Sequence, residues 1–85
     1  MSWFIYVVRT SKSALYTGIT TDINRRIAQH NSGTGSKAIK ALGRPVKLVY
    51  YESYLNRSSA SKREYEIKQL SKKEKEKLIC SPPRD

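Results

Sequence analysis

The stretch over residues 15–30 constrains the fold most, because it predicts a strand that passes through a glycine and directly into a helix. Residues 15–19 are short and rich in β-branched and aromatic side chains, which is typical of a β-strand. Residues 20–22 are Thr-Thr-Asp, whose side-chain oxygens are of the kind that cap a helix N-terminus. We therefore expect Tyr16 on the strand and Arg26 one turn inside the helix.

The helical periodicity separates two neighbouring arginines. With Ile23 at zero and about 100° per residue, His30 lies at about −20° and Arg26 at about −60°. Arg25 lies at about −160°, on the opposite side. Arg26 and His30 therefore flank the apolar stripe that is expected to be buried, and Arg25 faces water.

The composition favours a polyanionic partner. The 85 residues carry 17 Lys and Arg against 7 Asp and Glu, a formal net charge of +10. Nucleic acid is preferred over an acidic membrane surface, although a lysine-rich solvated surface would give the same count. The single cysteine, Cys80, excludes an internal disulfide, and with one histidine no zinc site is expected.

The length predicts a single domain over residues 1–80, followed by a C-terminal tail over residues 81–85. No apolar run approaches the ~20 residues of a membrane span, and the first residues look like a strand rather than a signal peptide. We expect a protein of the cytoplasm without a targeting segment.

The first strand is predicted over residues 3–8, an unbroken apolar run of the kind that is covered on both faces and hence central. Polar residues 9–13 then form a hairpin loop, which makes residues 15–19 antiparallel to it. Alternation places Tyr6 and Tyr16 on one face. The strands alone leave two interpretations open, core tyrosines with hydroxyls at the rim or parts of a site.

A basic connection follows the first helix. The helix is expected to end at Asn31 or Gly33, which suit a left-handed C-terminal cap. A loop is predicted from there to Pro45, and it is either a phosphate-contacting loop or a solvated connection. Its cations, together with one at the start of the next strand, are Lys37, Lys40, Arg44 and Lys47.

A third strand is predicted over residues 46–54. Strict alternation would place Val46, Leu48 and Tyr50 on one face. Val49 and Tyr51 would then lie on the other.

Two helices complete the chain. Asn56 or Ser58 is expected to cap a helix that continues through Leu70. Ser71 and Glu74 have the spacing of a capping box, which predicts the start of a short basic helix.

Only one glutamate of the first of these helices faces inward. With Ala60 at zero and about 100° per residue, Glu64 lies at about +40° and Glu66 at about −120°. A carboxylate on the buried side costs free energy unless it is paired or binds a cation. Glu64 is therefore either an ion-pair partner of Arg26 or His30 or a metal ligand.

The motifs together resemble the GIY-YIG nuclease superfamily, and in detail its small stand-alone bacterial members. The resemblance covers nearly all of the chain, and the order and spacing of the motifs make it specific. Phe4 stands where the first glycine of the family name would be, and Thr17 replaces the middle residue of the second triplet. The residues that carry the resemblance are Ile5-Tyr6, Tyr16-Thr-Gly18, Arg26 with His30, and Ala60 with Glu64.

The resemblance implies an α+β fold, a small three-stranded antiparallel sheet flanked by helices in the order β-β-α-β-α-α. It also implies phosphodiester hydrolysis with one divalent cation, Mg²⁺ or Mn²⁺. Tyr6 or Tyr16 would activate or orient the attacking water. Arg26 would stabilise the negative charge of the transition state, because a guanidinium aimed at the phosphate oxygens supplies electrostatic stabilisation. His30 would assist in positioning or proton transfer, and Glu64 would hold the metal.

The expected function is a metal-dependent endonuclease that acts on DNA with little sequence specificity, with Lys37, Lys40, Arg44 and Lys47 along the DNA path. The alternative is a non-catalytic binding module on the same fold, which would hold nucleic acid through its phosphates. A third hypothesis is a partner-binding regulator whose charge is incidental.

Overall fold

The computed structural model describes residues 2–34 and 37–80. No helix within these ranges is long and apolar enough to cross a membrane. The predicted tail over residues 81–85 lies outside the described residues. The elements are β1 (Trp3–Arg9), β2 (Leu15–Thr20), α1 (Ile23–Ser32), α2 (Lys37–Leu42), β3 (Lys47–Tyr54), α3 (Arg57–Lys68) and α4 (Lys72–Ile79).

The three strands form one antiparallel sheet in the order β2-β1-β3. The central position predicted for the apolar first strand is confirmed, since four consecutive residues of β1 are buried, from Ile5 to Val8. A strand in this position has neighbours on both edges and helices on both faces, so the side chains in its middle are covered. The expected α+β fold with a three-stranded antiparallel sheet is confirmed.

The sheet separates two apolar clusters. On one side, the α1 face, Tyr6 and Val8 pack with Ile39 of α2 and with Ile23 and Ile27 of α1. On the other side, the α3 face, the cluster combines strand residues with residues of α3 and α4; its buried members are Ile5, Val7, Tyr50, Ala60 and Ile67.

The predicted alternation of β3 is wrong beyond Leu48. Val8 of β1 pairs with Leu48, whereas the preceding Val7 pairs with Tyr50, so Val49 is an extra residue in the ladder. One extra residue in a strand of period two exchanges the faces of everything that follows. Leu48 therefore packs on the α1 face with Val46, but Tyr50 packs on the α3 face.

The basic segment predicted as a loop contains the helix α2, so that prediction is wrong. Ala, Ile, Lys and Leu of this segment are compatible with a helix, and Ile39 is fully buried against Tyr6, Val8 and Val46. Burial of Ile39 against the sheet favours the helical conformation. The high charge of the segment led the sequence to predict a loop. Lys37 and Lys40 lie exposed on this helix.

The predicted helix caps are found. Asp22 accepts a hydrogen bond from the backbone of Arg25 at the start of α1, and Gly33 ends that helix with a φ of 89°. Asn56 caps α3, and Ser71 and Glu74 form the capping box of α4. These local devices set where α1, α3 and α4 begin, and hence which side chains they direct towards the sheet.

Candidate active site

Gly18 creates the space that Tyr6 occupies. Tyr6 of β1 lies opposite Gly18 of β2, and a Cβ atom at Gly18 would lie 2.5 Å from the Tyr6 hydroxyl oxygen. Any larger side chain would push the phenol away. The glycine of the second triplet therefore allows the Tyr6 hydroxyl to lie over the edge strand.

Tyr6, Tyr16 and His30 form one aromatic group, called here the Tyr6 cluster. A hydrogen bond of 2.8 Å joins the Tyr6 hydroxyl to Nε2 of His30, and each of these two residues is only 1% exposed. Tyr16 is half-buried, with its ring centre 6.5 Å from that of Tyr6 and 5.6 Å from that of His30. The structure thus brings together three side chains that are 10 to 24 residues apart in the chain.

The two hydrogen-bonded members of the Tyr6 cluster are both uncharged at neutral pH. Burial, assisted by the nearby Arg26 guanidinium, holds the pKa of His30 below its ordinary value. Burial raises the pKa of Tyr6, as do Tyr16 and Glu64, while Arg26 opposes the increase. The pair is therefore a phenol beside a neutral imidazole.

Arg26 lies at the edge of the Tyr6 cluster. Its side chain is half-buried, and Nη1 donates a hydrogen bond of 3.1 Å to Gln29 Oε1, one turn along α1. Arg25 is exposed, as the helical periodicity predicts. The guanidinium affects the pKa of both Tyr6 and His30, so it is a cation within electrostatic reach of the cluster.

Glu64 faces inward and Glu66 outward, as predicted. The Glu64 side chain is 23% exposed and that of Glu66 is 52% exposed. The ion pair found for Glu64 is with Lys68, one turn along α3 at 3.3 Å, rather than with Arg26. Because Glu64 also raises the pKa of Tyr6, its carboxylate lies within electrostatic reach of the cluster.

The carboxylates, thiol and imidazole of the described residues do not gather into a multidentate metal site. Within residues 2–34 and 37–80, no group of three or more His, Cys, Asp or Glu could hold a metal ion. Among the described residues, Glu64 is the carboxylate whose charge raises the pKa of Tyr6. One carboxylate, with waters and substrate phosphate, is a donor set that Mg²⁺ accepts.

The four cations predicted to contact DNA are all exposed, but they belong to different elements. Lys37 and Lys40 lie on α2, and Lys47 begins β3. Arg44 has its guanidinium against Gly33, where a Cβ atom would collide with it. A contact between these side chains and DNA stays a prediction.

Sequence reasoning missed the most deeply buried carboxylate. Glu52 of β3 is 1% exposed and accepts hydrogen bonds from the hydroxyls of Tyr50 and Tyr54. Arg63 of α3 donates to both of its oxygens, from Nε at 2.9 Å and from Nη2 at 3.1 Å. These four residues, the Glu52 network, lie on the α3 face. The available signal was a glutamate flanked by tyrosines two residues away on each side, a spacing that puts all three on one face of a strand.

The sheet order, the glycine under Tyr6 and the Tyr6–His30 pair define a domain of the GIY-YIG type. The GIY-YIG catalytic domain family matches residues 2–77. The chain belongs to the GIY-YIG family, which is a superfamily of nucleases.

Similar proteins are known by the name UPF0213 protein. Relatives from Yersinia pestis (strain Pestoides F) and Yersinia pseudotuberculosis (strain IP32953) are 50% identical over 82 residues, which cover 96% of this chain and 85% of each relative. The solution structure of the UPF0213 protein of Bacillus halodurans is 38% identical, with a TM-score of 0.60 over 94% of this chain and 84% of that one. A solution structure from E. faecalis has 36% identity and a TM-score of 0.60, covering 92% and 83%.

Proposed function

We propose that the chain is a metal-dependent endonuclease that hydrolyses phosphodiester bonds of DNA, in the cytoplasm and with little sequence specificity of its own. One observation carries the proposal: the buried hydrogen bond of 2.8 Å between Tyr6 and His30 Nε2, in a cluster beside Arg26 and Glu64. Burial of Tyr6 and His30 has a free-energy cost, so their presence together on one face of a small sheet favours a chemical role.

The Tyr6–His30 pair is suited to accept a proton. His30 is neutral at neutral pH because its pKa is lowered, so Nε2 in the appropriate tautomer accepts the Tyr6 hydroxyl proton. As that proton moves to Nε2, the Tyr6 oxygen takes the proton of the attacking water. The water oxygen bonds to phosphorus, the bond from phosphorus to the leaving oxygen breaks, and the leaving oxygen takes a proton from solvent.

Tyr16 is the better candidate to orient the attacking water. It is half-buried, whereas Tyr6 is almost completely covered, so Tyr16 has the larger surface with which to hold a water that also reaches the Tyr6 oxygen. A hydroxyl that both donates and accepts can hold a water in line with the bond that breaks.

Arg26 and Glu64 are proposed to act on the charge of the phosphate. The Arg26 guanidinium would donate to the phosphate oxygens, which gather negative charge in the transition state. Glu64 would hold Mg²⁺ or Mn²⁺, and the bound cation would add positive charge on that side of the phosphate. The position of Glu64 near Tyr6 supports this assignment.

The exposed cations support nucleic acid as the substrate. Lys37 and Lys40 lie on α2, whose buried Ile39 packs beside Tyr6, so these lysines stand on the same side of the sheet as the Tyr6 cluster. Arg44 and Lys47 extend the basic surface beyond α2. Phosphate contacts of this kind give affinity without base readout, which is the reason for expecting little sequence specificity.

The test compares Glu64→Gln with Glu66→Gln on nicked, branched and single-stranded DNA, in Mg²⁺ and in EDTA. The parent protein should cleave in Mg²⁺ and not in EDTA. Glu64→Gln should lose cleavage while DNA binding persists or tightens, because a repulsive carboxylate is removed. Glu66→Gln, two residues along the same helix and outward-facing, should cleave at the parental rate.

Two outcomes would contradict the proposal. Equal loss of cleavage in both variants would refute the metal position at Glu64. DNA binding without cleavage of any of the three substrates, in Mg²⁺ or in Mn²⁺, would favour the binding module instead.

A further inference from the structure

A pocket of about 260 Å³ opens beside Arg26, where the ends of β1 and β2 meet the first turns of α1. Of the residues that line this pocket, only Arg26 has a role in the proposed hydrolysis. Its other walls combine an aromatic ring, an aliphatic side chain and hydrogen-bonding groups. Those used in the argument are Trp3, Ile19, Thr21, Asp22 and Gln29.

The lining of the pocket includes one aromatic ring, that of Trp3. Trp3 is half-buried, and the guanidinium carbon of Arg57 lies 5.7 Å from the centre of its ring. This contact anchors the ring from the side of α3. Nucleobases stack on aromatic side chains and on arginine planes whatever their sequence, because every base has a π-face.

The lining also includes hydrogen-bonding groups on α1 and at its N-terminal cap, about two helical turns apart. Gln29 and Asp22 belong to α1 and its N-terminal cap, and Thr21 precedes them. Amide, carboxylate and hydroxyl groups are those with which proteins contact the edges of unpaired bases. Asp22 caps α1 and the Gln29 side-chain oxygen accepts from Arg26, so both side chains are held in place. Together with the Trp3 ring they suit a flat, polar, aromatic ligand.

The size and place of the pocket suit a single base. Its volume lies just below the ~300–1,000 Å³ of sites for drug-sized molecules, so it has room for a single base. Because Arg26 belongs both to the pocket and to the edge of the Tyr6 cluster, a base held here would be next to a phosphate bound at Arg26.

We propose that this pocket binds the base of an unpaired nucleotide next to the scissile phosphate. The preferred substrates are then nucleic acids that present such a nucleotide, as gaps, flaps, bulges and single strands do. A base in an intact duplex is stacked and paired, and it must leave the helix before it can enter. The location of the scissile phosphate at Arg26 rests on the proposed function; binding of the base does not.

The single tryptophan of the chain makes the pocket directly observable, because all intrinsic tryptophan fluorescence comes from Trp3. The parent protein is titrated in EDTA with a labelled tetrathymidylate and with an abasic tetramer that has the same phosphates. Affinity is measured by fluorescence anisotropy of the label. The base-containing tetramer should bind at least about fivefold more tightly, since stacking contributes to its affinity alone. It should also quench Trp3, and the abasic tetramer should not.

A matched pair of variants locates the effect. Thr21 is exposed and lines the pocket, and Thr21→Met places a longer side chain in that space. This variant should bind both tetramers with the affinity of the abasic one. Thr34→Met, the same change at an exposed threonine beyond the far end of α1, should retain the parental preference.

The outcomes separate this inference from the proposed function. Equal affinity for the two tetramers, or preference for bases without quenching of Trp3, would overturn the pocket assignment even if the protein cleaves DNA. A base-dependent affinity that Thr21→Met removes would support it even if no cleavage is found. For a protein that cleaves, equal rates on a perfect duplex and on the same duplex with one unpaired nucleotide would overturn the substrate preference.

Discussion

The two faces of the sheet each bury a hydrogen-bonded tyrosine, and they use it differently. On the α3 face, the acceptor is the carboxylate of Glu52. It accepts hydrogen bonds from two tyrosine hydroxyls and from Nε and Nη2 of Arg63. On the α1 face, the partner of Tyr6 is a neutral imidazole. The Glu52 network joins an ionised carboxylate to a guanidinium. The Tyr6 cluster instead joins a phenol to a neutral imidazole by one hydrogen bond.

The pKa directions express the same difference. Hydrogen bonds from Arg63 and the tyrosines overcome the effect of burial and keep the pKa of Glu52 below its usual value. Burial, together with the hydrogen bond to Glu52, raises the pKa of Tyr54 to about 12. Both groups are thus fixed in one protonation state at ordinary pH. Burial, assisted by Arg26, instead holds the pKa of His30 below its ordinary value, so the imidazole is neutral at neutral pH and is free of a fixed charge. Burial is therefore common to both tyrosines, and what differs is the partner: an ionised carboxylate on the α3 face and a neutral imidazole on the α1 face.

The largest expected effect is on stability, from the α3 face. Glu52→Gln removes the charge that compensates Arg63, and we expect the free energy of unfolding to fall by about 3 kcal/mol. The lower end of the range for buried pairs applies because the Arg63 side chain is 25% exposed and water reaches it. Urea denaturation measures the change. Glu66→Gln, which removes an exposed partner of Arg63, should cost less than about 1 kcal/mol.

The comparison fails if Glu52→Gln leaves stability unchanged but abolishes cleavage, because the Glu52 network would then have a chemical role. Cleavage rates should be expressed per folded molecule, so that a loss by unfolding is not counted as a loss of chemistry.

Loss of a hydroxyl on the α1 face should lower the rate of cleavage. Tyr16→Phe and Tyr6→Phe should each cleave at least about tenfold more slowly, which corresponds to about 1.4 kcal/mol of transition-state stabilisation. Tyr16→Phe should melt within a few degrees of the parent. Tyr6→Phe should also lose about 1 kcal/mol of stability, because it leaves the buried His30 without this hydrogen bond.

Tyr50→Phe is the matched control, since the same hydroxyl is removed on the α3 face. It should lose about 1 kcal/mol of stability and retain the parental cleavage rate per folded molecule. Parental rates in Tyr6→Phe and Tyr16→Phe would identify both as ordinary core tyrosines.

Acid should affect the two faces in separate pH ranges. The pKa of His30 is lower in the folded protein than in the unfolded chain, so the unfolded chain takes up a proton first and stability falls as the pH drops below about 6.5. The pKa of Glu52 is also lowered, so its contribution is present above about 4.3 and is lost as the pH falls through its folded value.

Cleavage should therefore decline as the pH falls through the lowered pKa of His30 and its imidazole becomes protonated, while the Glu52 network is still intact. Denaturation midpoints and cleavage rates measured across this range test the order. A cleavage rate that stays constant until the protein unfolds would remove His30 from the proposed proton transfer.

The smallest effect concerns single lysines on the two sides of the sheet. Lys40→Gln, on α2 above the α1 face, should reduce the slope of log K for DNA binding against log salt by about 1. Lys73→Gln, exposed on α4 at the α3 face, should leave that slope unchanged. Salt titrations on several unrelated duplexes measure both. Equal changes in the two variants would mean that DNA has no preferred side.

The sequence by itself determined the features that depend on local periodicity and local hydrogen bonds. The direction of Arg26 and His30 inward and of Arg25 outward follows from 3.6 residues per turn, as does the difference between Glu64 and Glu66. The helix caps and the central place of β1 are equally local, because each is written in a few consecutive residues.

Only the tertiary structure decided what depends on pairing between distant segments. The extra residue Val49 is defined by how β3 pairs with β1, and it moves Tyr50 to the α3 face. The helical state of α2 follows from the burial of Ile39 against strands on both sides of it in the chain. The Tyr6–His30 bond spans 24 residues and the contact of Glu52 with Arg63 spans 11. Such contacts arise from packing, so no window of neighbouring residues contains them.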